Sequence, residues 1–142
     1  MVASLRDSKG VAGIAENAWA LPPEPLVLDT RAFQELLEAL GGDLDVVVSI
    51  YRTFLRTTGV LIGALPVQDC AAQAATLHTL RGSAWMVGAA RVARLATHLQ
   101  QVATKSVHPV IKTRIEELTG ELNMFRTAIN AHARSFQYRS EI

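Results

Sequence analysis

The stretch Leu77-His78-Thr79-Leu80-Arg81-Gly82-Ser83-Ala84 decides how the rest of the chain is interpreted. At about 100° per residue it predicts one helix, with its distinctive residues on one side: His78, Arg81, Gly82 and Trp85. A glycine inside a helix costs about 1 kcal/mol relative to alanine, so Gly82 indicates a close approach to the backbone. Leu77, Leu80 and Ala84 lie on the neighbouring side of this helix. The titratable imidazole of His78 thus borders an apolar stripe, and the cation Arg81 lies one turn further along.

Composition favours a single domain of packed helices. The chain has 142 residues, of which 49% are hydrophobic but only 6% aromatic. The single cysteine, Cys70, excludes an internal disulfide and suits a reducing compartment. No run of about 18 apolar residues and no signal-peptide pattern is present, so we expect a cytoplasmic protein without membrane insertion.

The charge is balanced overall, at +1, but unevenly distributed. No acidic residue lies between Asp69 and Glu116, and six basic residues fall in that interval: Arg81, Arg91, Arg94, Lys105, Lys112 and Arg114. Such a region suits an anionic ligand or an acidic partner surface. Because aromatic residues are not interleaved with these basic residues, nucleic-acid binding is not expected.

Capping residues and glycines predict the first helix boundaries. Asp29 or Thr30 can cap a first, short helix, which Gly41-Gly42 ends. Asp43 then caps a longer helix that Thr57-Thr58-Gly59 weakens in its middle, where a bend is expected.

The second half of the chain predicts three more helices. The central helix begins near Asp69, a candidate N-cap, and ends near Met86, and Gly88 makes the turn into the next helix, which ends near Thr104. In an antiparallel hairpin that turns at Gly88, Gln100 returns to about the level of His78. Pro109 suits the first turn of the last helix. The apolar positions of that helix alternate by four and three, as in a bundle seam: Ile111, Ile115, Leu118, Leu122, Phe125, Ile129, His132 and Phe136.

We therefore predict an all-α fold: an antiparallel up-down-up-down four-helix bundle with a short additional N-terminal helix. The bundle takes residues 27–138, and residues 139–142 form a C-terminal tail. Residues 1–26 end in Leu21-Pro22-Pro23-Glu24-Pro25 and are interpreted as an N-terminal extension or linker. A helix around Val11–Ala20 that packs back on the domain through Trp19 is the alternative.

The pattern His-x-Leu-Arg-Gly-Ser-Ala that begins at His78, with Gly88 ten residues after the histidine, resembles the signature of histidine-containing phosphotransfer (HPt) domains. That family usually has lysine where this chain has Arg81. The resemblance extends from about Leu28 to Phe136. It implies a stoichiometric phosphocarrier of a multistep two-component phosphorelay, not an enzyme, whose partners are receiver domains of response regulators and hybrid histidine kinases.

The resemblance also implies roles for single residues. His78 would be the phosphoacceptor, and Gln100 would bind one imidazole nitrogen and leave Nε2 as the nucleophile. Arg81 would contact the phosphoryl oxygens. Three residues are candidates for binding the partner. Gly82 leaves room for a loop, and Arg91 extends the positive field. Trp85 stands where family members usually have a small residue, and it either forms an apolar docking patch or is covered by the N-terminal segment. The carrier would need no cofactor of its own, since the receiver supplies Mg²⁺.

Other interpretations have less support. The four histidines include no i, i+4 pair and no Cys-x-x-Cys motif is present, so a metal site is not expected. A helical adaptor that binds receivers or other signalling proteins without carrying phosphate remains the alternative. The dimerising phosphoacceptor domain of a sensor kinase is a second one, but Thr79 stands where that domain usually has an acidic residue. Four long helices in one chain also favour a monomer.

Overall fold

A computed structural model describes residues 25–106 and 108–142. The predicted extension 1–26 and its alternative helix around Val11–Ala20 lie outside these residues, except for positions 25 and 26. Five α-helices follow one another: α1 (Thr30–Ala39), α2 (Leu44–Ala64), α3 (Cys70–Met86), α4 (Ala90–Lys105) and α5 (Lys112–Arg134). One 3₁₀ turn, Leu65–Val67, joins α2 to α3, and no strand occurs among the described residues. The predicted all-α class is confirmed.

Three aspartates cap helices. Of the two candidates for α1, the cap is Asp29 and not Thr30, and the predicted caps Asp43 and Asp69 are confirmed. Each carboxylate accepts a hydrogen bond from a backbone N–H in the first turn of its helix, which satisfies one of the donors that a helix start leaves unpaired. The bond from Arg31 to Asp29 is 3.0 Å long, the bond from Val46 to Asp43 is 3.3 Å and the bond from Ala72 to Asp69 is 2.8 Å.

Helix α2 continues without a break through Thr57-Thr58-Gly59, the stretch that the sequence predicts to weaken it. Thr58 is buried, and packing of one helix face supplies stability that local propensity does not. Among the described residues, Leu44–Val67 is the one helical stretch long and apolar enough to cross a membrane. Its buried side chains lie in the bundle core, as those of a soluble core helix do: Val47, Val48, Tyr51, Phe54, Leu55 and Ile62.

Helix α5 begins at Lys112, later than Pro109 predicts. The backbone N–H of the buried Val110 donates a 2.8 Å hydrogen bond to Oε1 of Gln73, which holds the chain outside the helix there. Ile111 is extended and 62% exposed, so it does not belong to the apolar seam. Phe136 follows the end of the helix. The seam between these two residues faces the core: Ile115, Leu118, Leu122, Phe125 and Ile129 are buried.

Gln73 is a fully buried amide side chain that joins three segments of the chain. While Oε1 accepts from Val110, Nε2 donates a 2.9 Å bond to the carbonyl of Leu65 in the 3₁₀ turn. A buried amide costs free energy unless both of its polar atoms are paired. Gln73 thus fixes α3 to the turn before it and to the segment that leads into α5.

An aromatic cluster fills the end of the bundle that α1 covers. Phe33 stacks on Tyr51 at 5.5 Å between ring centroids, and His132 meets Phe33 edge-on at 4.7 Å. Burial raises the pKa of the Tyr51 hydroxyl, and burial lowers the pKa of the His132 imidazole, because each charged form loses hydration. His132 belongs to the predicted seam and is half-buried at the edge of the core.

The turn between α3 and α4 is fixed from two sides. Gly88 has φ +78°, and its carbonyl accepts a 2.8 Å bond from the backbone N–H of Asp29. The hydroxyl of Tyr51 donates a 2.8 Å bond to the carbonyl of Val87. Because this short turn connects α3 directly to α4 and the two helices pack side by side, its geometry determines which of their residues lie opposite each other.

Candidate functional site

Helix α3 presents an unusual face to solvent. It contains no carboxylate, and its exposed residues are small or apolar except for His78 and Thr79. At helical spacing, the side that carries His78 also carries Ala71, Ala75, Gly82, Trp85 and Met86. An imidazole is therefore exposed to water on a helix face that has no carboxylate of its own.

Two side chains approach the same ring nitrogen of His78. Nη2 of Arg81, one turn along α3, lies 3.3 Å from Nδ1. Nε2 of Gln100, on α4, lies 3.4 Å from the same Nδ1. The turn at Gly88 brings Gln100 to the level of His78, as the hairpin predicts. Within residues 25–106 and 108–142, no side chain hydrogen-bonds to Nε2 of His78, which is the nitrogen left open to solvent.

Gln100 is half-buried between α3 and α4, and its other polar atom is poorly accommodated. Its Oε1 is buried and has no hydrogen-bond partner among the described residues. The amide therefore presents its donor to His78 and keeps an acceptor unused, an arrangement that leaves a polar group unsatisfied.

Gly82 lies one turn from His78 and is exposed. A Cβ atom built on Gly82 would meet no atom of the described residues within 4 Å, so their packing does not require a glycine there. The backbone at Gly82 is therefore open to close approach on this side.

Large apolar side chains stand beside Gly82. Trp85 is 54% exposed, and the neighbouring Met86 is 75% exposed. Met86 also borders a shallow cavity of about 250 Å³ between α2 and α3, with Ile50, Phe54 and Thr57 among its lining residues. Met86 is not among the site residues predicted from the sequence, although its spacing of eight residues from His78 places it on the same face. Exposed apolar residues grouped in this way mark protein-contact surfaces.

Arg91 does not extend the open surface around His78. Its Nη2 forms a 2.8 Å ion pair with Oε2 of Glu121 on α5, and both side chains are largely buried. Arg114 is likewise paired with Glu117. Helix α5 thus brings carboxylates to basic residues that the sequence places in an acid-free interval. Among the described ion pairs none involves Arg81, which leaves it as the cation beside His78.

No group of three or more His, Cys, Asp or Glu side chains able to hold a metal ion occurs in the described part of the chain. The site's polar groups are an imidazole, a guanidinium and an amide. They can accept, orient and neutralise an anionic group at Nε2.

Comparison with known proteins identifies a family. A family model described as "Hpt domain" matches residues 33–128, more than half of the chain. The matched range runs from α1 to the middle of α5 and includes His78, Arg81 and Gln100. No curated protein and no solved structure matches the chain.

Proposed function

The chain belongs to the Hpt domain family, and from that premise we propose that it is the phosphocarrier of a multistep two-component phosphorelay. Domains of this family act in histidine phosphotransfer and interact with phosphorelay partners. In our proposal, His78 accepts a phosphoryl group from the aspartate of one receiver domain and passes it to the aspartate of another. The carrier turns over no substrate of its own. We also propose a cytoplasmic location, where such receivers act.

The exposed imidazole of His78 on a carboxylate-free helix face is the observation that supports this proposal best. A phosphoryl group on a ring nitrogen adds about two negative charges. A carboxylate nearby would repel that group, whereas Arg81 would pair with it. Nε2 is the ring nitrogen that a docking partner can reach.

The transfer would be an in-line displacement. The lone pair of Nε2 forms the N–P bond while the P–O bond to the receiver aspartate breaks, and the aspartate leaves as a carboxylate. The receiver holds the Mg²⁺ that neutralises charge during this step. This chain contributes position and one cation, which suits a reaction whose catalysis is largely positioning and electrostatic.

The other predicted site residues divide into two groups. Gly82 and Trp85 lie on the exposed face with His78, and we assign them, together with Met86, to docking of the receiver. Arg91 is committed to Glu121, so we assign it to the packing of α4 against α5 and not to first contact with a partner.

Labelling with a phosphorylated receiver tests the proposal. We expect His78→Gln to abolish transfer of the label while the helical circular dichroism stays unchanged. His98→Gln is the matched control, because His98 is an exposed histidine on α4 two residues before Gln100. The wild-type label should be acid-labile and base-stable, as phosphohistidine is. Undiminished labelling of His78→Gln would overturn the proposal.

The exposed apolar face also favours the adaptor alternative, in which receivers dock without phosphotransfer. The same experiment separates the two functions. A receiver that binds the wild-type protein through Trp85 and Met86 but never labels it would favour the adaptor.

A further inference from the structure

The two donors at Nδ1 of His78 determine where the ring carries its proton. A guanidinium has only donors and stays protonated, so the Nδ1 that lies 3.3 Å from Arg81 Nη2 must offer a lone pair. A neutral imidazole carries one proton, which is therefore on Nε2. A protonated Nε2 has no free in-plane lone pair, and that is the atom required to attack phosphorus.

On this basis we propose that Arg81 is a positioning residue that sets the tautomer of His78. In the resting protein it holds the ring in the Nε2–H form, which is not nucleophilic at Nε2. A docked phosphoryl group draws the guanidinium away from Nδ1 and so releases the reactive Nδ1–H form. This inference rests on the proposed function, since it deepens the role of the same histidine.

Gln100 is compatible with either tautomer, whereas Arg81 is not. An amide carries both a donor and an acceptor, and the Oε1 of Gln100 is the buried atom without a partner. Rotation of the amide group would turn this acceptor towards Nδ1–H. Gln100 can therefore hydrogen-bond to Nδ1 in either tautomer. Arg81 has only donors, so it determines which ring nitrogen carries the proton.

The change preserves atoms and charge. Water takes the proton from Nε2, and Nδ1 takes a proton from water, so the ring stays neutral. Nε2 then forms its bond to phosphorus as the aspartyl P–O bond breaks and the carboxylate leaves with the electron pair. The ring keeps its proton on Nδ1, the Nδ1–H group donates a hydrogen bond to Gln100 Oε1, and Arg81 pairs with the phosphoryl oxygens.

Nitrogen-15 NMR of the ring tests this proposal without a phosphoryl donor. Two-bond correlations, recorded where titration shows the ring neutral, identify which nitrogen of His78 is protonated. We expect the Nε2–H form to dominate in the wild type. Arg81→Met should shift the tautomer ratio by about tenfold towards Nδ1–H, as the loss of a charge-assisted hydrogen bond implies. Arg94→Met, which removes an exposed cation from α4, should leave the ratio unchanged.

Two further measurements complete the test. Gln100→Glu should favour Nδ1–H even with Arg81 present, because a carboxylate only accepts. Docking a receiver that carries beryllofluoride, a phosphoryl mimic, should also move wild-type His78 to Nδ1–H. A dominant Nδ1–H form in the free wild type, or equal ratios in wild type and Arg81→Met, would overturn the inference. The NMR measurement of the tautomer ratio in the free protein needs no phosphoryl donor. Its result therefore stays valid even if the phosphotransfer assay fails.

Discussion

The hydroxyl of Tyr51 on α2 donates a 2.8 Å hydrogen bond to the carbonyl of Val87, in the turn between α3 and α4. The backbone N–H of Asp29 binds the carbonyl of the next residue, Gly88, at the same distance. The turn is thus held by α2 and by the start of α1. Because it sets the register of α3 against α4, these bonds also place Gln100 beside His78, twenty-two residues away in the chain.

Replacement of Gly88 by alanine should destabilise the fold by about 3 kcal/mol. Gly88 has φ +78°, and a Cβ would lie 2.7 Å from the Asp29 carbonyl oxygen and 2.8 Å from Cβ of Ala32. Gly42→Ala is the matched control, since Gly42 has φ +81° but open space around it, and should cost about 1 kcal/mol. Urea unfolding measures both. Equal losses of stability in the two variants would show that α1 can move away from the added Cβ without a cost in free energy.

Gln73→Met should lower the free energy of unfolding by about 2–5 kcal/mol. Methionine keeps the volume but leaves the Leu65 carbonyl and the Val110 N–H buried without partners. Gln101→Met places the same change on an exposed position of α4 and should alter stability by less than about 0.5 kcal/mol. Chemical denaturation compares the two variants. A small loss for Gln73→Met would mean that water reaches these backbone groups.

The free energy of unfolding should decrease at acid pH because of His132. Burial lowers the pKa of this imidazole in the folded state, so the unfolded chain binds its proton more readily. The contribution is complete above about pH 6.5, the ordinary pKa, and is lost as the pH falls towards the folded pKa. Thermal unfolding at several pH values should show this slope reduced in His132→Leu. His108→Leu, which changes an exposed histidine, should keep the wild-type slope.

Trp85→Ala should weaken binding of a receiver by about 10-fold or more, because exposed tryptophans often carry much of the energy of an interface. Met124→Ala is the control: Met124 is a 45% exposed apolar residue on α5, which packs mainly against α2 and α4. Titration calorimetry gives both dissociation constants. Equal weakening by the two variants would place docking elsewhere on the bundle.

Arg81→Glu should slow phosphotransfer from a receiver by about tenfold or more, because a carboxylate beside His78 repels the phosphoryl dianion. Arg94→Glu makes the same charge change at an exposed position of α4 and should have a smaller effect. Rapid-quench measurements of the transfer rate compare the two. Similar slowing by both variants would indicate a general effect of net charge.

The sequence predicts the helices well where the signals are local. The caps Asp29, Asp43 and Asp69 and the turn glycine Gly88 each act within a few residues, and the structure has them as predicted. The placement of Gln100 opposite His78 follows from counting residues on either side of that turn.

Interactions between distant segments could not be predicted. Gln73 lies in an alanine-rich run and has no sequence feature that distinguishes it from a surface glutamine, because both of its partners are backbone groups far along the chain. The Arg91–Glu121 ion pair could not be predicted for a related reason. The stretch around Arg91 contains no acidic residue in the sequence, but the neighbouring helix α5 places the carboxylate of Glu121 beside it.

The exposed indole of Trp85 offers a practical route to many of these measurements. The chain has two tryptophans, and the other is Trp19. In a Trp19→Phe background, all indole emission would come from the edge of the α3 face. Covering that ring with a partner would shift its spectrum to the blue, so fluorescence titration could follow complex formation in real time without an attached dye.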